Sequence, residues 1–246
     1  MTASVGRACG KVILLGEHAV VYGIPAIAVG IDRGASAFAT EAASPSRLLV
    51  PEWDIDLAED AEHELSRAFR ALLAATGKSG SVRVEARADL PPGGGLGCSA
   101  ALGVAIARAL DPNADAALTA TRAMAWERIF HGNPSGVDAA VAAGGGCVLF
   151  EKGEGDRPNS IEPIHARGGI SLVIGHTGLA SSTKLMVEAV ARVASAGRPR
   201  RSHALLGRHG MASVRHRALR RDDGRQGDPR RARRVSRRAA ARTDRA

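Results

Sequence analysis

The sequence predicts a chain that mixes strands and helices around one glycine-rich loop. The apolar run that follows Lys11, ending at Leu15, has the length of a short buried strand. Apolar and polar residues alternate over Ser81–Leu90, which indicates a strand with one buried face. Helical apolar spacing predicts a packing helix over Asp60–Thr76. A second helix is predicted over Ser99–Leu110, and its many small residues allow it to pack close to a sheet.

The segment between the first strand and the loop adds two strands and a helix end. Ile24–Ile31 and Ala35–Thr40 are predicted as separate strands because glycines punctuate the run between them. Gly77 follows the helix predicted over Asp60–Thr76 and is expected to end it.

The glycine loop lies between the strand Ser81–Leu90 and the helix that begins at Ser99. Four glycines fall within the five positions 93–97, so the backbone can approach a ligand closely. The N-terminus of the following helix offers unpaired N–H groups and the positive end of its dipole. Neither the Gly-Lys-Ser/Thr of a P-loop nor the acid of a dinucleotide fingerprint is present. The context favours an anion site for phosphate, although a glycine cluster alone is more often a tight turn.

Two carboxylates that could take part in a site lie in the segments after the loop. Glu127 lies near the end of a helix predicted over Asp115–Ile129. Asp138 ends the stretch His131–Asp138, which proline and two glycines make rigid, and it precedes the small-residue segment Ala139–Ala143. Taken singly, Glu127 is better read as an exposed acid and Asp138 as a helix N-cap.

The next part of the chain carries two more strand candidates and a hydroxyl-rich turn. Cys147–Glu151 and Ile170–Ile174 are predicted strands. The turn His176–Lys184 contains Ser182 and Thr183, and a helix is expected to begin near its end.

The net charge of +9 belongs to the end of the chain. Residues 192–246 hold 18 arginines and four acids, a net charge of +14, whereas the first 191 residues carry −5. This tail lacks aromatic residues, isoleucine and lysine, and cannot bury enough apolar surface to offset its ordering entropy. We expect residues 196–246 to be an arginine-rich tail that is either disordered or read out of frame. Nucleic acid would bind it only non-specifically, because stacking aromatics are missing.

Cysteine usage and hydropathy suggest a cytoplasmic protein. Cys9, Cys98 and Cys147 are far apart without a C-x-x-C spacing, so neither a disulfide framework nor a zinc site is expected. No signal peptide and no membrane-spanning segment are predicted, and no membrane partner is expected.

Three stretches together resemble, in order, the first motifs of the GHMP small-molecule kinases: Lys11–Gly23, Pro91–Ala101 and His131–Asp138. Within that superfamily the mevalonate kinases are most similar, because two of these stretches contain the sequences Gly-Glu-His-Ala-Val-Val and Gly-Asn-Pro-Ser-Gly-Val-Asp. The resemblance covers about residues 10–191. It implies an α+β fold with an N-terminal domain related to ribosomal protein S5 domain 2, over residues 1–165. A ferredoxin-like C-terminal part would begin over residues 166–195 and be incomplete.

The resemblance implies phosphorylation of mevalonate by ATP and Mg²⁺, giving 5-phosphomevalonate for isoprenoid precursor biosynthesis. Asp138 matches the catalytic aspartate and Lys11 the lysine beside it, and Ser99 and Glu127 match the magnesium ligands. The nucleotide-binding positions are Pro92, Gly93, Gly94, Gly95, Leu96, Gly97, Cys98, Ser99 and Ala100. The substrate-side positions are Glu17, His18, Ser182 and Thr183.

The sequence departs from the family pattern in three places. Cys98 replaces a serine, and Ala139 stands where asparagine often follows the catalytic aspartate. The third glycine-rich motif, Lys-x-Thr-Gly-Ala-Gly-x-Gly-Gly, does not occur, which predicts impaired activity.

Two alternatives stay open: an inactive remnant whose tail binds nucleic acid, or another GHMP kinase acting on phosphomevalonate, homoserine or galactose. A homodimer also stays open.

Overall fold

The computed structural model describes residues 3–17, 19–155, 157–165 and 171–175. Within these residues, seven strands form one sheet, and four α-helices accompany it. The strands are β1 Ser4–Leu15, β2 Ala26–Glu41, β3 Arg47–Val50, β4 Ile55–Ala58, β5 Val82–Ala88, β6 Cys147–Glu151 and β7 Ser160–Pro163. The helices are α1 Glu64–Thr76, α2 Cys98–Leu110, α3 Ala116–His131 and α4 Val137–Gly144.

Strand β2 is the centre of the sheet. It pairs antiparallel with β1, while its first part, Ala26–Val29, also pairs with β6 and its last part, Ala35–Glu41, with β5. Strand β3 runs parallel to β5, and β4 and β7 add antiparallel strands to β3 and β6. The prediction of two separate strands here was wrong. Pairing with β1 continues on both sides of a register shift, so the glycines between the two predicted strands do not end β2.

Helix α2 lies close against the sheet because both surfaces carry small residues. A Cβ atom added to Gly6 of β1 would stand 1.9 Å from the carbonyl oxygen of Ala105 in α2. The expectation that this small-residue helix packs close to a sheet is confirmed. This contact fixes the second half of α2 on β1, and the close approach of Gly97 to Lys11 holds the start of the helix against the same strand, where the candidate site lies.

Helix α1 begins later than its apolar pattern predicted. The imidazole Nδ1 of His63 accepts a hydrogen bond from the backbone N–H of Leu65 at 3.1 Å, so the cap places the first helical residue at Glu64 rather than near Asp60. Gly77 ends the helix at a φ of +65°, as predicted.

Three apolar clusters hold the described residues together. The largest lies between the sheet and helices α1 and α2, with Phe69, Leu102 and Trp126 among its fully buried side chains. A second joins α4 to β2 and β6 through residues that include Val141 and Phe150, and a third consists of small residues on α2, α3 and α4. Because α4 packs directly on the sheet, its first turn is held in a fixed position.

The strand predicted over Ile170–Ile174 is wrong for the residues that are described there. Residues 171–175 carry no strand, and Val173 is fully exposed, because this stretch pairs with none of the described strands. The hydroxyl-rich turn, the helix expected near Lys184 and the arginine-rich tail lie outside the described residues. The domain boundaries at 165 and 195 stay predictions.

None of the helices in the described ranges combines the length and apolar character needed to cross a membrane.

The largest cluster gives a stability test with a matched control. Phe69 is completely buried, whereas Phe38 on β2 is 42% exposed. We expect Phe69→Ala to lower the free energy of unfolding by about 3–5 kcal/mol, because it removes buried surface and leaves a cavity. Phe38→Ala makes the same chemical change and should cost less than about 1.5 kcal/mol. Urea unfolding measures both, and equal losses would contradict this account of the core.

Candidate active site

A cavity of about 500 Å³ lies where the glycine loop meets β1, α3 and the start of α4. The predicted site residues on its wall are Lys11, Glu17, Gly93, Gly94, Gly95, Gly97, Cys98, Ser99, Ala100, Glu127 and Asp138. Pro92 and Leu96 belong to the loop but do not line the cavity. His18, Ser182 and Thr183 lie outside the described residues.

The glycine loop is shaped by left-handed backbone and tied to β1. Gly93, Gly95 and Gly97 all have φ near +70°, a conformation that L side chains rarely adopt. The backbone N–H of Lys11 donates to the carbonyl oxygen of Leu96 at 2.9 Å. Gly97 then caps α2 with no side chain over the helix end, so the first N–H groups of the helix stay open to an anion.

The Cys98 side chain contacts the end of the loop opposite to its own. Its thiol donates to the carbonyl oxygen of Leu90 at 3.5 Å, which links the two ends of the loop. Burial, with a smaller effect from Glu127, raises the pKa of this thiol to about 11. Cys98 is therefore a neutral packing group at neutral pH and offers no thiolate to a ligand.

Lys11 and Asp138 form an ion pair at the wall of the cavity. The Nζ atom of Lys11 lies 3.2 Å from Oδ1 of Asp138, and the lysine side chain is 5% exposed against 32% for the aspartate. Asp138 stands in the first turn of α4, where the helix dipole favours a negative charge. Gly136 precedes the helix with a φ of +90° and sets its direction. The pair therefore presents a partly exposed carboxylate, held by a buried ammonium group, to the cavity.

Ser99 and Glu127 form the second polar pair of the site. The Ser99 hydroxyl donates to Oε1 of Glu127 at 2.6 Å, and Glu127 is only 2% exposed. Burial raises the pKa of Glu127 to about 7, and nearby Asp138 adds to this, while the Ser99 hydrogen bond and Lys11 act in the opposite direction. His131 Nε2 lies 3.7 Å from Oε2, but burial lowers the pKa of that imidazole. Among the described residues, Glu127 therefore has no ion-pair partner that carries a permanent charge.

The donor chemistry of this pair fits a magnesium ion. Mg²⁺ prefers oxygen ligands, takes few from the protein and fills its shell with water and phosphate oxygens. Among the described residues that line the cavity, three carboxyls face a single lysine, so an anionic nucleotide needs an accompanying cation here. No set of three or more His, Cys, Asp or Glu side chains within the described ranges could hold a metal ion alone. Ser99 and Glu127 would thus share the ion with the nucleotide.

Three neighbours of the site escaped the sequence analysis as functional residues. The Trp126 indole N–H donates to Ser99 Oγ at 3.2 Å, and His131 lies beside Glu127 on α3. The Asn159 amide donates to the carbonyl oxygen of Ser135 at 3.4 Å and accepts from the backbone of Gly153. The four-residue spacing of Glu127 and His131 on a helix was a readable signal. Nothing in the sequence signals the Asn159 contact, which depends on the chain returning after β6.

Comparison with known proteins identifies relatives of this chain by sequence and by structure. Residues 63–146 match the profile described as the GHMP kinases N terminal domain. A mevalonate kinase of Aeropyrum pernix is 32% identical over 209 residues, covering 79% of this chain and 63% of that protein. A mevalonate kinase of Methanothermobacter thermautotrophicus is 33% identical over 199 residues, covering 76% and 61%. The crystal structure of L. major mevalonate kinase in complex with R-mevalonate aligns with a TM-score of 0.64 at 25% identity, over 88% of this chain and 68% of that one.

Residues 63–146 carry the N-terminal domain of the GHMP kinases, and the described part of the chain has the α+β fold that the resemblance implied. The sequence relatives to which it is similar are mevalonate kinases. It spans 63% and 61% of the lengths of the two curated relatives named above.

Two glycines of the loop give a test of the contact between the loop and Lys11. Gly95 and Gly97 both have a φ of +73°, so an alanine at either costs about 1–2 kcal/mol of backbone strain. At Gly97 the added Cβ would also stand 2.9 Å from Cγ of Lys11, whereas at Gly95 it meets nothing within 4 Å. We expect Gly97→Ala to lower the free energy of unfolding by about 1–3 kcal/mol more than Gly95→Ala. Equal losses in urea unfolding would contradict the contact.

The buried Glu127 predicts a decline of stability with rising pH in the metal-free protein. Its pKa rises from an ordinary 4.5 to about 7 on folding, so between these values the folded state binds more protons than the unfolded state. The contribution of Glu127 to the free energy of unfolding is therefore fully present below pH 4.5 and falls by about 3 kcal/mol as the pH rises from there through 7. Unfolding in EDTA at pH 5 and pH 8 should show this decline in the wild type. Glu127→Gln cannot ionise, so its free energy of unfolding should fall by about 3 kcal/mol less than that of the wild type between the two pH values. An equal fall in both proteins would show that Glu127 does not have a raised pKa.

Proposed function

We propose that the protein is a mevalonate kinase that transfers the γ-phosphoryl group of ATP to the primary hydroxyl of mevalonate. The observation that carries the proposal is the Lys11–Asp138 pair, which stands on the same cavity as the glycine loop and the Ser99–Glu127 pair. Phosphoryl transfer asks a protein mainly to position two reactants and to neutralise charge. An anion cradle, a base and two oxygen donors around one cavity meet those needs.

Asp138 is the group that receives the substrate proton in this proposal. Its Oδ1 atom is engaged by Lys11, which leaves Oδ2 to accept a hydrogen bond from the substrate hydroxyl. As the hydroxyl oxygen bonds to the γ-phosphorus, its proton passes to the carboxylate. The bond from that phosphorus to the bridging oxygen breaks, and ADP leaves. Lys11 stabilises the negative charge that develops on the attacking oxygen.

The loop and the α2 terminus hold the phosphates. Backbone N–H groups of residues 93–97 and of the first turn of α2 bind the oxygens without adding a side chain, which the glycines make sterically feasible. A bound Mg²⁺ would supply charge neutralisation at the phosphates, with Ser99 and Glu127 as its protein ligands. Glu127 is buried and Ser99 is half-buried, so the protein shields the carboxylate of this pair more than the hydroxyl.

Mevalonate is preferred over other alcohols on the basis of sequence. The Gly-Asn-Pro-Ser-Gly-Val-Asp wording and the mevalonate kinase relatives support it. The L. major protein, which shares the fold, was solved with R-mevalonate. Glu17 on the cavity wall is the described residue we assign to the substrate side, and His18, Ser182 and Thr183 stay assigned to it by motif.

The proposal is tested by ADP release from the purified 246-residue chain with ATP, Mg²⁺ and mevalonate. We expect turnover with mevalonate and a loss of about 10²–10⁴-fold in kcat for Asp138→Asn, which keeps the shape but removes the base. Asp56→Asn is the matched control, because Asp56 is half exposed and pairs with Arg47 on the surface. The control should stay within about twofold of the wild type, since exposed ion pairs contribute little.

Phosphomevalonate, homoserine and galactose serve as competing substrates in the same assay. Faster turnover with any of them would replace mevalonate while leaving the kinase assignment in place. A folded chain that turns over none of them and binds no MgADP would contradict the kinase assignment itself.

A further inference from the structure

We propose that Trp126 is a positioning residue whose indole N–H orients the Ser99 hydroxyl for the magnesium–nucleotide complex. The inference rests on the proposed kinase function and adds to it a residue that touches neither substrate nor nucleotide. Trp126 is 1% exposed and belongs to the main apolar cluster, so its simplest role is core packing. Three observations assign it more than that.

The first observation is the hydrogen-bond direction around Ser99. An indole N–H is a donor only, so Ser99 Oγ must accept the 3.2 Å bond from Trp126 Nε1. The single hydroxyl hydrogen of Ser99 is then directed to Glu127 Oε1 at 2.6 Å. One lone pair of Oγ is occupied by the indole, and one remains for a cation. Trp126 therefore fixes which way the Ser99 oxygen presents its free electron pair.

The second observation is that the indole has no room to turn. Its ring lies against Gly103 of α2, where an added Cβ would stand 2.8 Å from Cδ1 and 2.9 Å from Cγ. On α3, the Phe130 ring packs at a centroid distance of 5.4 Å and an angle of 57°. Gly103 follows Ser99 by four residues, so the two share one face of α2. The glycine thus makes space for the ring, and the serine accepts its N–H.

The third observation is the pairing of two consecutive residues with one hydroxyl. Trp126 and Glu127 both lie on α3, and both bond Ser99 Oγ on α2. These bonds set the position of α3 relative to the start of α2 at the point where the ion would bind. A buried indole that only filled space would leave its N–H without this partner, which destabilises the folded state.

The test removes the N–H while keeping the ring. Trp126→Phe keeps an aromatic side chain, and replacement of Trp126 by benzothienylalanine keeps the two-ring shape with sulfur in place of the N–H. Trp53→Phe is the matched control, because Trp53 is the other tryptophan of the chain and lies in a short turn after β3. Calorimetric titration measures the affinity for ADP with Mg²⁺ and, separately, with EDTA.

We expect both Trp126 replacements to weaken MgADP binding by about tenfold, the loss of roughly one hydrogen bond. Binding of ADP in EDTA should change less than twofold, and the Trp53→Phe control should bind as the wild type does. A merely structural role predicts equal effects with and without Mg²⁺, or an effect of Trp126→Phe that benzothienylalanine restores. Either of those results would overturn the inference.

A second measurement separates this inference from the proposed function. In the Trp53→Phe background, Trp126 gives a single indole N–H signal in a nitrogen–proton correlation spectrum. Ser99→Ala should shift that signal upfield in the absence of nucleotide, because the acceptor is gone. An unchanged signal would overturn the positioning role even if the kinase is active. A shifted signal in a chain that binds no MgADP would support the hydrogen bond between Trp126 and Ser99 but would contradict the proposed kinase function.

Discussion

The close approach of α2 to β1 is the constraint on which the site depends. Gly6 lets the strand and helix backbones meet, and Gly97 leaves room for the Lys11 side chain beside the first turn of α2. The backbone bond from Lys11 to Leu96 then ties the loop to the same strand. Small residues at these points therefore place an ammonium group, an open helix terminus and the Ser99 hydroxyl around one cavity.

The described residues of the cavity do not compensate all of its negative charge. Lys11 compensates Asp138, but Glu127 is buried beside a hydroxyl and an imidazole that burial keeps neutral. Such a carboxylate is costly without a counter-charge, which is why its pKa rises. A cation that arrives with a nucleotide would remove this cost. Ligand binding and local stability are therefore coupled through one residue.

Helices α2 and α3 meet the site through a short chain of polar contacts inside an apolar core. Ser99 accepts from Trp126 and donates to Glu127, so the only hydroxyl at the helix start has both roles assigned. The indole is held by Gly103 and Phe130, which have no polar contact with the site. Packing at a distance from the cavity thus controls the geometry of oxygen atoms on its wall.

Local sequence alone determined β5, the glycine loop and α2. Alternation, glycine content and small apolar residues act within a few positions, so Val82–Ala88 and Cys98–Leu110 could be predicted with nearly correct bounds. The sequence motifs also identified Lys11, Ser99 and Asp138 as candidate site residues. The short strands β3, β4 and β7 were not predicted, because four residues carry too little periodicity.

Tertiary structure decided what depends on a distant partner. Strand β2 is continuous because β1 pairs along it, and residues 171–175 form no strand because no described strand pairs with them. The Lys11–Asp138 and Ser99–Glu127 contacts join positions far apart in the chain, and the raised pKa of Glu127 comes from burial among them. Sequence pattern names such residues, but only the packing of helices on the sheet sets the distances and the loss of solvent that give them their chemistry.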